Sequence, residues 1–174
     1  MSDQSQQSRF PLIIGHRGAC GYAPENTLES FETAIHMGVE WIEFDVKITK
    51  DHVPIIFHDD TLERTTNGNG AVQDYTLEDI KALEAGSWFG DSFTGISIPT
   101  LEEALDMLVD RNIGINVEIK PCPGREKETS EAVLDILSQI WDDHQRILIS
   151  SFSHVALEVA QDMTQDWARG LLIG

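Results

Sequence analysis

The sequence predicts a mostly parallel α/β fold, and three observations predict it. Short apolar runs of strand length alternate with stretches of helical periodicity. One connection is too short for a crossover and reads as a hairpin. Polar and charged residues gather where the strands end, which is where α/β proteins bind ligands.

The elements follow in order. Leu12–Ile14 reads as a short buried strand that stops at Gly15, with His16-Arg17-Gly18 at its end. Asn26 and Glu29 read as an Asn-x-x-Glu capping box that opens a helix. Residues 27–37 place Leu28, Phe31, Ala34 and Ile35 at helical spacing, and Gly38 ends the helix. From Val39 to Thr49 the chain alternates strictly. Trp41, Glu43, Asp45 and Lys47 share one face; Ile42, Phe44, Val46 and Ile48 share the other. A face with two carboxylates is no ordinary core face. Asp51-His52 signals a tight turn, and Val53–Phe57 is a second strand ending at His58-Asp59. A parallel crossover needs about a dozen residues or more. Residues 40–58 are therefore expected as an antiparallel hairpin that returns His58 beside Glu43 and Asp45.

Residues 60–98 are irregular, with a turn cluster from Thr65 to Gly70 and a short helix over Leu77–Leu83. Trp88, Phe89 and Phe93 read as a small satellite core, with a lid over the site as the alternative. Pro99-Thr100-Leu101-Glu102-Glu103 opens a helix to about Val109. In the strand Ile113–Lys120, Asn116, Glu118 and Lys120 face one way and Ile115, Val117 and Ile119 the other. A helix over 126–141, a strand over 146–152, a helix over 153–161 and a last apolar strand over 168–173 complete the chain.

At 174 residues the length fits one domain. Residues 1–9 read as a disordered polar tail and 10–174 as the folded unit, with about 60–98 as an insertion. The formal net charge of −18 argues against nucleic acid and against an anionic membrane surface as partners. There is no apolar run of spanning length, so no stable membrane insertion is expected and the cytoplasm is the default location. Cys20 and Cys122 make no disulfide or metal spacing and read as ordinary thiols. His36, His52, His144 and His154 carry no partner pattern and read as surface residues.

Four strand ends carry inward polar groups: His16-Arg17, Glu43-Asp45, His58 and Glu118-Lys120. Glu43 and Asp45, at i and i+2, reach one ion, and Glu118 supplies a third oxygen. Three carboxylates suit a hard divalent cation, Mg²⁺ or Ca²⁺. Ion pairing with Lys47, Lys120 and Arg17 is the competing explanation, but burying so many acids and imidazoles together is costly without a ligand. His16 and His58 can serve as a general acid and base, and Arg17 suits phosphoryl oxygens.

With HRGACGYAPENTLESF at 16–31, EFDVKITKD at 43–51, HDDTLERTTNG at 58–68 and VEIK at 117–120, the chain resembles the glycerophosphodiester phosphodiesterases. These motifs occur in the family's order, and the resemblance covers 12–174. The resemblance implies a TIM-barrel (β/α)8 fold with its site at the strand carboxyl ends. It implies hydrolysis of a small-molecule phosphodiester to glycerol 3-phosphate and an alcohol. It further implies His16 and His58 as the acid/base pair, Glu43, Asp45 and Glu118 as metal ligands, Arg17 and Lys120 as phosphate contacts, and Glu25 as a supporting acid. One histidine would deprotonate the nucleophile, which the family suggests is the neighbouring glycerol hydroxyl, and the other would protonate the leaving alcohol. Barrels of this type run to about 250 residues, and about five of eight barrel strands are legible here, plus the hairpin return strand. The fold is therefore expected as an incomplete barrel, weakly stable, self-associating through open sheet edges, or much less active than a version extended by three strands. Two other readings stay open: a non-catalytic fragment or binding module that keeps the motifs, and a phospholipase-like enzyme on lysolipids.

Overall fold

A computed structural model describes residues 10–174. The expected disordered tail, residues 1–9, lies outside the described residues. The strands are β1 (Gly15–His16), β2 (Trp41–Ile48), β3 (Pro54–Ile56), β4 (Gly114–Ile119), β5 (Ile147–Ser151) and β6 (Ala168–Leu171). The α-helices are α1 (Leu28–His36), α2 (Leu77–Lys81), α3 (Leu101–Leu108), α4 (Glu126–Ile140) and α5 (His154–Met163). The strand order is β1-β2-β4-β5-β6, all parallel, with β3 antiparallel on β2. Apart from β3 the order never reverses, which is the winding of a barrel rather than of a doubly wound sheet. The sheet is open, and among the described residues β1 pairs only with β2 and β6 only with β5.

The alternation along β2 decides the layers. Ile42, Phe44 and Val46 pack with Phe31, Leu105, Leu134 and Ala156 from four helices in one apolar cluster. All these helices thus cover one face. The other face carries Trp41, Glu43, Asp45 and Lys47, and every residue of β2 is buried. Close packing on this inner face has a test. Gly114 lies opposite Trp41, and a Cβ there would sit 2.3 Å from the indole. Gly114→Ala is expected to cost about 1–3 kcal/mol through overpacking, seen as a lower urea midpoint; an unchanged midpoint would show the indole has room to move.

The helix ends follow local rules. Thr100 and Glu103 form a reciprocal capping box on α3, and Thr76 and Asp79 form another on α2. Gly38, at φ 85°, ends α1 as expected. The cap of α1 differs from expectation: it is Thr27, whose Oγ1 accepts the Ser30 N–H. Asn26 is left-handed (φ 58°) and buried, and its side chain turns inward to the sheet.

Two other expectations are corrected. Leu12 and Ile13 are exposed rather than a buried strand. Among the described residues only Gly15 and His16 of this run find strand partners, on Ile42 and Glu43, so residues 12–14 lie outside the sheet. The satellite core exists, built from Ile55, Phe57, Leu62, Val72, Ile80, Ala85 and Ile98. Trp88, Phe89 and Phe93 stand outside it, stacked edge-to-face on one another at 5.5 and 5.4 Å.

Candidate active site

The hairpin is antiparallel, with Val46 opposite Ile56 and Ile48 opposite Pro54. It closes where Thr49 accepts the His52 N–H and pairs with Val53. β4 runs along one edge of β2 from Trp41 to Val46. β1 and β3 therefore share the other edge. β1 rises along its first half and stops with His16 opposite Glu43. β3 descends along its second half, and the Phe57 N–H donates to the Asp45 carbonyl. The two strands approach from opposite ends, and this brings His16 and His58 to the same edge beside the acids.

The register places the third acid. Asp45 lies directly opposite Glu118, and Glu43 is one step back on the same face. Glu43, Asp45 and Glu118 each offer an oxygen within 4.8 Å of the others. A cation with Ca–O distances of about 2.3–2.6 Å can bridge about twice that span. Glu43 Oε1, Asp45 Oδ1 and Glu118 Oε1 are buried with no hydrogen-bond donor. Orphaned hard oxygens in a buried cluster fit a divalent cation. Burial, then the charge of Asp45, pushes Glu43 up to about 8. The same two causes raise Glu118, against the pull of Lys120.

The remaining predicted residues surround this cluster. Arg17, left-handed at φ 50°, donates its backbone N–H to Glu43 (2.9 Å) and its Nη1 to Glu25 (2.8 Å). Its Nε lies 3.3 Å from Asp45. Lys120 Nζ stands 3.6 Å from Glu118 and 5.7 Å over the Phe152 ring. His16 Nε2 is 3.9 Å from Glu43 Oε2, and burial, then Arg17, lowers its pKa. His58 Nδ1 is 2.5 Å from Asp59.

Sequence reasoning missed Asn26, Asp59 and Arg64. Asn26 Nδ2 donates to the Asp45 carboxylate (2.9 Å) and its Oδ1 accepts the Asp45 backbone N–H (3.3 Å), so one amide holds both the side chain and the backbone of that residue. Arg64 bridges Glu25 and Asp59. Asp59 and Arg64 lie within HDDTLERTTNG, so the motif held the signal, but spacing alone does not show which carboxylates Arg64 reaches. Of the thiols, Cys122 is buried, while Cys20 Sγ lies 3.7 Å from His16 Nδ1. His36, His52 and His144 make contacts elsewhere, with Glu32, Glu128 and Trp167.

Residues 16–173 match the glycerophosphoryl diester phosphodiesterase family. The chain belongs to that family. A glycerophosphodiester phosphodiesterase of Caldanaerobacter subterraneus subsp. tengcongensis is 41% identical over 92% of this chain and 66% of its own length. A phosphodiesterase of Oleispira antarctica, solved with the product sn-glycerol-3-phosphate, superposes with a TM-score of 0.91 at 43% identity, covering 94% of this chain and 66% of that one. A glycerophosphodiester phosphodiesterase structure from Agrobacterium tumefaciens gives 0.82 at 33% identity, covering 92% and 66%. The chain thus spans just under two thirds of the length of these relatives. The parallel sheet with its helices on one face is an incomplete (β/α) barrel, and over the matched residues it follows the barrel fold of these family members. No described helix is long and apolar enough to cross a membrane.

Proposed function

We propose that this chain hydrolyses glycerophosphodiesters to glycerol 3-phosphate and an alcohol. The observation that carries the reading is the cluster of three orphaned carboxylate oxygens, two from β2 and one from β4, with His16 and His58 beside it on the far edge of β2. The glycerol-3-phosphate held by the Oleispira relative supports the product class. Glu43, Asp45 and Glu118 hold the cation, Mg²⁺ or Ca²⁺, which supplies Lewis-acid charge for the phosphoryl oxygens. Lys120 adds a positive charge beside Glu118. Arg17 does the same beside Asp45 while Glu25 anchors its guanidinium. His16 and His58 exchange protons with the attacking and leaving oxygens. The test is release of glycerol 3-phosphate from glycerophosphocholine with and without a divalent cation. Release that depends on the cation is expected; no release, or equal release after chelation, would sink the reading.

The raised Glu43 predicts a pH dependence. Its folded value, about 8, lies above its ordinary 4.5. Its contribution to apo-protein stability is therefore complete below about 4.5 and is lost as pH rises through about 8. Cation uptake needs the ionised form and so expels this proton. Apparent cation affinity is expected to fall about tenfold per pH unit below that value. Calorimetry in buffers of different ionisation heat reads the released proton directly, and pH-independent affinity between 6 and 8 would contradict the assignment.

A further inference from the structure

We propose that Arg64 is a positioning residue for His58, acting through Asp59, and that it ties His58 to Arg17 through Glu25. This rests on the reading of His58 as a proton-transfer group. Arg64 lies in the loop after β3, remote in sequence from Glu25, and its side chain is 45% exposed. Its Nε and Nη2 donate to the two oxygens of Asp59 at 2.7 and 2.9 Å. Its Nη1 and Nη2 donate to the two oxygens of Glu25 at 2.9 and 2.7 Å. One guanidinium therefore holds two carboxylates, each bidentately, a geometry that lysine does not reproduce.

The consequence falls on a named atom. The hydrogen bonds from Arg64 hold Asp59 below the ordinary carboxylate range, so it stays ionised at neutral pH. An ionised carboxylate only accepts. Asp59 Oδ1, 2.5 Å from His58 Nδ1, therefore demands a proton on Nδ1 and leaves Nε2 for the substrate. Because Arg64 occupies both Asp59 oxygens, the carboxylate cannot rotate away. On its far side Arg64 shares Glu25 with Arg17. The chain His58–Asp59–Arg64–Glu25–Arg17 thus runs from a proton-transfer group to a phosphate contact, and Arg64 touches none of the three acids of the cation site.

The test uses Arg64→Ala, Arg64→Lys and Asp59→Asn. It reads kcat and KM on glycerophosphocholine across pH, cation affinity, and the ¹⁵N shifts of the His58 imidazole. Arg64→Ala is expected to lower kcat about 10–100-fold, the usual cost of losing an orienting partner. Cation affinity should hold, the pH profile should move, and the imidazole should pass from Nδ1-protonated to a mixture of tautomers. Arg64→Lys, which keeps the charge and loses the fork, should recover only part of kcat. Asp59→Asn can place a donor against Nδ1, which selects the wrong tautomer, and should cost about 10²-fold or more. An Arg64→Ala chain with kcat within about twofold of the parent and an unchanged imidazole signature would overturn the proposal. If the parent hydrolyses nothing, the imidazole still decides: a tautomer that depends on Arg64 upholds the fork while the phosphodiesterase reading falls, and one that does not overturns the fork.

Discussion

His16→Ala and His58→Ala are each expected to cut turnover of glycerophosphocholine about 10²–10⁴-fold, the range for loss of one acid/base group, with cation binding retained. Neither imidazole is needed to hold the cation, since the three carboxylates already offer converging oxygens. His16 is largely exposed and lies 3.9 Å from Glu43, close enough to serve a substrate at the cation site without contributing to the core. His58 is reached by a different route, on the return strand of the hairpin, with its Nδ1 side held by Asp59. The two groups therefore fail independently and by the same kind of loss. Steady-state kinetics paired with cation titration checks this. Near-normal turnover in either variant would remove that histidine from the chemistry, and lost cation binding would make it a ligand instead.

Glu118→Gln is expected to weaken cation binding by at least about 100-fold, since even outer partners of a metal site are worth 10–100-fold, and hydrolysis should fall with it. The substitution is nearly isosteric and removes a charge that faces Asp45 across paired strands. In the cation-free protein that charge is a cost. Burial and Asp45 both raise Glu118, and Glu118 in turn helps to raise Glu43. Lys120, at 3.6 Å, offsets only part of it. The variant should therefore be at least as stable as the parent to urea at pH 8 without cation, while losing the stabilisation that added cation gives the parent. Opposite signs for stability and binding are the signature of a site that stores like-charge repulsion for a ligand. A variant less stable than the parent in cation-free buffer would show that these acids are not in conflict.

What the sequence determined by itself was whatever repeats with a local period. The two-residue alternation from Trp41 to Ile48 placed Glu43 and Asp45 on one face, and the same alternation placed Glu118 and Lys120. The short link at Asp51-His52 dictated the antiparallel return that carries His58. Strand and helix periods located the strands after β1 and the helices that cover the parallel sheet, and the separated motifs named the family. Tertiary structure decided the rest, where a residue's partner is distant in the chain or a local signal has two outcomes. Asn26 and Thr27 are both good helix caps. Thr27 became the cap because Asn26 is drawn inward by Asp45, a contact no local pattern contains. Leu12 and Ile13 have the hydrophobicity of a strand, but among the described residues no neighbouring strand lies opposite to bury them. Arg64 reads as one more polar residue in a turn-rich loop until the fold brings Glu25 and Asp59 to the same guanidinium. A side chain's period depends on its nearest neighbours in sequence, whereas its charge partner depends on where the whole chain returns, and only the folded sheet settles that.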